Sequence, residues 1–268
     1  MAIHFHSNKE LYFQMQRENA AEYVIPFIEQ VLPVLPGLNV LEIGCAEGGV
    51  LLAFLERGCK GVGVELSDSR AVLAAEFLKS YIDEGNCRII SKNIYDPTFE
   101  TEFRGQFDLI LLKDVIEHIP DQQKLMGFMK TYLKPGGQIY FGFPPWQMPF
   151  GGHQQICRTK LGKMPWLHLC PRGMYKGLLK LFGESEPTVN ELMDVHDTGI
   201  SLERFERIVG KTDYTISNKL LYLINPIYKY KFKLKPRRQF GLIAAIPWVR
   251  NFWTTCGYYL ITPTKSKD

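Results

Sequence analysis

Hydrophobic positions in this chain switch between a helical period and short unbroken runs. Ala21, Val24, Ile25, Ile28 and Val31 recur at helical spacing, and Pro33 and Pro36 predict the end of that helix. Continuous apolar stretches then alternate with amphipathic ones. Residues 39–43, 61–65, 88–91, 107–112 and 138–143 read as strands. Residues 47–57 read as a helix. A second is capped by Ser67 or Asp68 and places Ala71, Ala74, Ala75 and Leu78 on one face, and a third runs from about 122 to 133. Strands apolar along their whole length are covered on both faces, and alternation with helices brings them together in parallel. The pattern predicts an α/β protein with a doubly wound sheet.

The regularity breaks at Pro144. Residues 144–200 are rich in Pro, Gly, His and Trp without clear periodicity, and an insertion of this kind is expected to cap a substrate site. A helix over 201–209 restores the alternation, and 214–224 and 252–262 are expected to close the sheet as an antiparallel pair. The chain is therefore read as one domain, 1–268. Residues 1–37 supply a helix and lid, with Tyr12 and Tyr23 at hand. Residues 38–143 form a cofactor-binding half, 144–200 a cap, and 201–268 the last helix and strands with a basic insertion over 225–250. Within that insertion, YKYKFKLKPRR alternates strictly. An extended chain there would carry Tyr228, Tyr230, Phe232 and Leu234 on one side and Lys229, Lys231, Lys233 and Lys235 on the other.

Composition narrows the class. A chain of 268 residues with 46% hydrophobic and 22% charged residues is globular and large enough to need no disulfide or metal staple. Its six cysteines are scattered, with no C-x-x-C pair, and no apolar run approaches a spanning helix or a signal-peptide core. These features predict a reduced, cytoplasmic protein. The net charge of +4 is uneven, because residues 214–262 hold eight basic side chains and no acidic one. Such a field would attract an anionic acceptor, with a membrane surface the nearest rival. No RNA-binding motif supports a stable nucleic-acid partner.

The candidate chemistry starts at VLEIGCAEGG, residues 40–49, a strand followed by a glycine-rich turn and a helix start. As a dinucleotide fingerprint it fails at its middle glycine, which is Ala46. As E-x-G-x-x-x-G it supplies Glu42, Gly44 and Gly48, and a carboxylate at the strand end suits a ligand carrying an ammonium rather than a pyrophosphate. Glu65, about 20 residues on, would accept both ribose hydroxyls, and Leu66 would cover an adenine face. Asn93 and Ile94 follow the third strand, where a side chain and a backbone amide can read the adenine edge. FDLILLKDVIEHI and LKPGGQIYF complete the series.

In this order the motifs resemble the class I S-adenosylmethionine-dependent methyltransferases over residues 38–143. The resemblance implies a Rossmann-like methyltransferase fold: a mainly parallel seven-stranded sheet with an antiparallel last strand. It also implies S-adenosyl-L-methionine as cofactor and S-adenosyl-L-homocysteine as product. Glu42, Gly44, Cys45, Ala46 and Gly48 would frame the methionine part, Glu65 and Leu66 the ribose and adenine, Asn93 and Ile94 the adenine, and Lys113 and Asp114 the region near the sulfur. Ala46 replaces a frequent glycine, and Asn93 stands where aspartate is common.

Methyl transfer to a hydroxyl calls for alignment and a base. Glu117 and His118, just past the fourth strand, are the first candidates, and the same pair occurs in relatives resembling ubiquinone-pathway O-methyltransferases. His153, after two glycines, is the second. Asp114, Glu117, His118 and His153 include ligand types for a divalent metal, but no metal is expected, since a carboxylate–histidine network is the commoner outcome. Trp146, Phe150 and Trp166 are candidates to line or roof the acceptor pocket. The reading is a methyltransferase acting on a small molecule at oxygen. The alternatives are a nucleic-acid or lipid-headgroup methyltransferase and, opposed by Glu42 and Ala46, a nicotinamide-dependent oxidoreductase.

Overall fold

The computed structural model describes residues 8–264. Its centre is an eight-stranded sheet in the order β3-β2-β1-β4-β5-β8-β6-β7. The strands are β1 (Asn39–Ile43), β2 (Lys60–Glu65), β3 (Cys87–Ser91), β4 (Phe107–Lys113), β5 (Leu133–Phe143), β6 (Tyr214–Ile224), β7 (Arg237–Arg238) and β8 (Cys256–Pro263). The first five pair in parallel, and β8 lies antiparallel to both β5 and β6. The α/β doubly wound class and the antiparallel closure are as the hydrophobic pattern predicts. The strand count exceeds the expected seven by β7, a two-residue edge strand too short to leave a periodic signal.

Both faces of the sheet are covered. In β4, Leu109 and Leu111 point into the cluster under the amino-terminal helices, while Ile110 and Leu112 point into the opposite one. This two-sided burial is why FDLILLK reads as an unbroken apolar run. The helices are α1 (Lys9–Asn19), α2 (Ile25–Ile28), α3 (Gly49–Leu55), α4 (Asp68–Phe77), α5 (Lys79–Asp83), α6 (Pro97–Phe103), α7 (Gln122–Phe128), α8 (Arg172–Leu181), α9 (Glu186–Thr198), α10 (Leu202–Lys211), α11 (Tyr228–Phe232), α12 (Gly241–Ala245) and α13 (Val249–Trp253).

Four elements depart from the sequence reading. The first helix begins at Lys9 and joins α2 through a π turn, Ala20–Val24, closed by the Ile25 N–H on the Ala20 carbonyl. Pro26 has no N–H to continue the regular ladder, and the wider turn before it absorbs the misfit. β5 starts at Leu133, so the Pro-Gly-Gly stretch lies within the strand, beside a register shift opposite Phe107 and Leu109. Residues 144–200 are not irregular throughout. They hold α8 and α9, which enclose a small core of Cys157, Tyr175, Leu179, Val189 and Leu192. Finally, Tyr228–Phe232 is helical, not extended, so its lysines do not share one side.

β1 lies between β2 and β4, which places the crossover of chain direction at its carboxyl end. In sheets of this kind ligands bind in the crevice outside that point.

Candidate active site

The loop leaving β1 is stitched to the end of β2. The N–H groups of Gly44 and Cys45 donate to the Val64 carbonyl at 2.8 and 3.1 Å, and the Gly48 N–H donates to the Cys45 carbonyl at 2.7 Å. Gly44, Ala46 and Gly48 all have positive φ (69°, 48° and 82°). Gly44 is required twice over, since a Cβ there would also lie 2.7 Å from Val115 Cγ2. Cys45 is buried under Gly63, where a Cβ would come within 2.9 Å of its sulfur. Glu65 ends β2 with one carboxylate oxygen accepting the Ala46 N–H at 2.9 Å and the other the Ser67 N–H at 3.0 Å. Each oxygen keeps a lone pair for a further donor.

Glu42 is buried, and one of its carboxylate oxygens has no partner. Burial pushes its carboxyl up to about 8, with Lys113 pulling the other way and Glu65 adding to the rise. An ammonium brought to this oxygen would restore the carboxylate and satisfy it, so the site fits a ligand with an amino-acid part at this end and hydroxyls at Glu65. Leu66 is 72% exposed, an aliphatic side chain open to cover a flat ring. Asn93 accepts the Tyr95 N–H on its side-chain oxygen at 3.0 Å, which leaves its NH₂ group as the available donor. Ile94 is buried, and its carbonyl accepts the Tyr132 hydroxyl.

β4 delivers the remaining residues. Lys113 is buried and ion-paired with Asp114. Burial opposes the Lys113 charge, but the Asp114 carboxylate more than offsets it and the ammonium is held above its ordinary range. Burial likewise works against Asp114, and Lys113 reverses the balance, so its carboxyl titrates below the usual range. Asp114 has φ 56°, and its N–H donates to the Gly142 carbonyl at 2.7 Å. This turn aims the chain into a single 3-10 turn, Ile116–His118.

That turn is fixed from behind. The Thr198 hydroxyl donates to the Glu117 carbonyl at 2.6 Å, and the Gln122 amide donates to the carbonyls of Ile116 and Thr198 at 3.2 and 2.6 Å. The end of α9 thereby ties the cap to the turn. Glu117 is buried with neither carboxylate oxygen partnered, and burial together with Asp114 raises its carboxyl well above the usual range. The rings of His118 and His153 meet edge to face with centroids 5.0 Å apart. His118 is reached by solvent, yet the walls around it desolvate the cation and lower its pKa. His153, in a left-handed backbone conformation, is lowered to about 4 by burial and by His118. Donor atoms of Glu117, His118 and His153 all lie within 4.8 Å of one another.

The basic segment brings a further cation to this corner, from a helix and not from the extended chain that its alternation predicts. Lys231, on α11, stands over the Tyr12 ring at 4.9 Å, and its charge acts on Asp114 and His153. The basic run points to an anionic acceptor at this segment, and the docking of α11 on α1 decides that Lys231 is a lysine that turns inward. Tyr12 belongs to the same corner, its hydroxyl lying in the field of Lys113 and Asp114. Trp146 lies elsewhere: it packs on His168 and His196 inside the cap, at ring distances of 4.6 and 5.3 Å. Trp166 is part-exposed and donates to the Gln147 carbonyl.

The family profile described as a methyltransferase domain matches residues 14–185. The chain belongs to this family, the S-adenosylmethionine-dependent methyltransferases of class I. Among curated proteins it is similar to the ubiquinone biosynthesis O-methyltransferase of Leptothrix cholodnii, at 27% identity over 114 residues, 42% of this chain and 47% of that one. The corresponding enzyme of Idiomarina loihiensis is 30% identical over 115 residues, 43% of this chain and 46% of that one. The match thus covers about half the length of these relatives. Among solved structures, a geranyl diphosphate methyltransferase in complex with SAM superposes with a TM-score of 0.58, at 15% identity, covering 92% of this chain and 86% of that one. At that identity the likeness concerns the fold.

Proposed function

We propose that this chain transfers a methyl group from S-adenosylmethionine to an oxygen of a small acceptor that carries negative charge. The observation that carries the reading is the convergence of His118, His153 and Lys231 around Asp114 at the end of β4, beside the glycine-rich loop. The cofactor, when bound, supplies an electrophilic methyl on a sulfonium. Glu42 accepts its ammonium, Glu65 its ribose hydroxyls, and Leu66, Asn93 and Ile94 surround its adenine. Lys113 and Asp114 flank the reacting end, and Asp114 keeps its charge because Lys113 holds its pKa down.

On the acceptor side, His118 is neutral at neutral pH and would take the hydroxyl proton as the methyl–oxygen bond forms and the methyl–sulfur bond breaks, its electron pair leaving with the thioether of S-adenosylhomocysteine. His153 limits where the His118 ring can lie. Lys231 meets the acceptor's anionic group and aligns it, which for an in-line displacement is the larger part of the work. Support for oxygen comes from the names of the curated relatives, which are O-methyltransferases. The test is transfer of labelled methyl to hydroxylated aromatic carboxylates and phosphates, against their uncharged analogues. Methylation confined to nitrogen, or indifferent to acceptor charge, overturns the proposal.

One observation favours a second reading of the same step. Glu117 is a buried carboxyl group with no hydrogen-bond partner, next to two imidazoles. A divalent cation suits that donor set; Glu117, His118 and His153 would hold it, and it would acidify the acceptor hydroxyl in place of a base. Reversible loss of activity on chelation, with calorimetric binding of the metal alone, decides for it.

A further inference from the structure

The surface after α11 is unlike the rest of the molecule. Leu242 is 85% exposed, and Phe240, Trp248 and Trp253 are each more than half exposed within a dozen residues of it. They are held outward by design of the fold. Ala244 packs inward against the core, so Leu242 on the opposite side of α12 points away from it. Behind α13, Arg250 and Asn251 are buried. Arg250 donates to Glu203 at 2.8 Å and to Glu206 at 2.9 Å, and Asn251 donates to Glu203 at 2.5 Å. These polar anchors bind the inner side of the segment to α10 and leave Val249, Phe252 and Trp253 facing out.

Along the segment itself the charge has one sign, and Glu203 and Glu206 behind it are engaged by Arg250. Lys233, Lys235, Arg237 and Arg238 are exposed, and none makes an ion pair among the described residues. No acidic residue occurs between 214 and 262. A second copy of the chain is a poor occupant, because a twofold contact would set these four cations against their own copies. A nucleic acid would answer the cations but offers no apolar bed for Leu242 and Phe240. An anionic bilayer answers both, with headgroups for the basic side chains and the acyl boundary for the aliphatic and indole groups. No described helix is long and apolar enough to cross a membrane, and the two short helices here suit lying in the interface.

We propose that residues 232–253 dock this protein peripherally on an anionic lipid surface. Lys231, at the cleft, immediately precedes the segment, so docking brings the mouth of the site to the membrane. The docking itself does not depend on the assignment of the reaction.

The test is co-sedimentation of the full chain with phosphatidylcholine vesicles, with and without phosphatidylglycerol, at low and high salt. Binding is expected only to the anionic vesicles, with a blue shift of tryptophan emission, and should be lost at high salt. Lys233→Ala with Lys235→Ala should weaken it by roughly 10- to 30-fold. Leu242→Asp should weaken it comparably without lowering the thermal midpoint, since that side chain touches little. Failure to bind anionic vesicles overturns the proposal. So would a dimer in light scattering that Leu242→Asp converts to monomer, which assigns the patch to a second copy, or equal binding to neutral vesicles.

Discussion

The Lys231 ammonium lies 4.9 Å from the centre of the Tyr12 ring, joining the amino-terminal helix to a segment near the other end of the chain. Lys229, two residues earlier, is ion-paired with Glu22 on the π turn. The two contacts hold α11 across the amino-terminal helices and bring a cation to the corner of Asp114 and His153.

Burial lowers the Lys231 pKa to about 8, with Lys113 adding to the effect and Asp114 opposing it. The side chain is therefore charged below pH 8 and loses its proton as pH rises through that value. If it orients an anionic acceptor, the acceptor KM should climb above about pH 8 while the cofactor Kd stays flat. Lys231→Met should raise KM at pH 7 and abolish this rise. Steady-state kinetics between pH 6.5 and 9 test it, and a KM that ignores both pH and the substitution sinks the role.

Two substitutions test the cofactor crevice. Glu65→Ala removes the acceptor proposed for the ribose hydroxyls and should weaken S-adenosylmethionine binding by roughly 1.5–3 kcal/mol in calorimetry. Gly44→Val should abolish binding, because its Cβ would collide with Val115 and its φ of 69° is hostile to a branched residue. Retained affinity in both would move the cofactor out of this loop.

His118→Ala should lower kcat by about 10²–10⁴ and leave the cofactor Kd within a factor of two or so. The turn it belongs to is held by Thr198 and Gln122 through backbone carbonyls, so the fold does not rest on the ring. A large drop in thermal midpoint would mark His118 as structural instead.

The buried His168 makes stability depend on pH. The two N–H groups of the Gln154 amide are directed at the Pro149 carbonyl at 2.8 Å and at His168 Nδ1 at 3.0 Å, with the Met164 carbonyl farther off at 3.3 Å. Nδ1 must accept, so the proton sits on Nε2 and is donated to the Trp146 carbonyl at 2.7 Å. Burial lowers this histidine to about 4. Between its folded and unfolded pKa values the unfolded chain binds more protons, so stability falls as pH drops. Urea unfolding should show a loss of about 2 kcal/mol from pH 7 to pH 5 attributable to this site, absent in His168→Gln. An equal loss in the variant would place the pH sensitivity elsewhere.

The parallel half of the sheet, the loop around Gly44 and the strand-end carboxylates of Glu42 and Glu65 were legible in the amino-acid sequence, because each signal is local. An apolar run reports burial on both faces, a glycine reports a turn, and a residue's place at a strand end follows from counting. The pairing of Glu117 with His118 is local for the same reason. The tertiary structure decided the rest. The meeting of His118 with His153 depends on how β4 and the post-β5 loop end side by side. The alternation of YKYKFK is compatible with a strand by period alone, and a five-residue helix has little stability of its own. Docking on α1, through Lys229 to Glu22 and Lys231 to Tyr12, selects the helix and turns Lys231 into the site. Interactions between residues so far apart in the chain leave no periodic trace in it, and only packing sets which side of a short segment faces in.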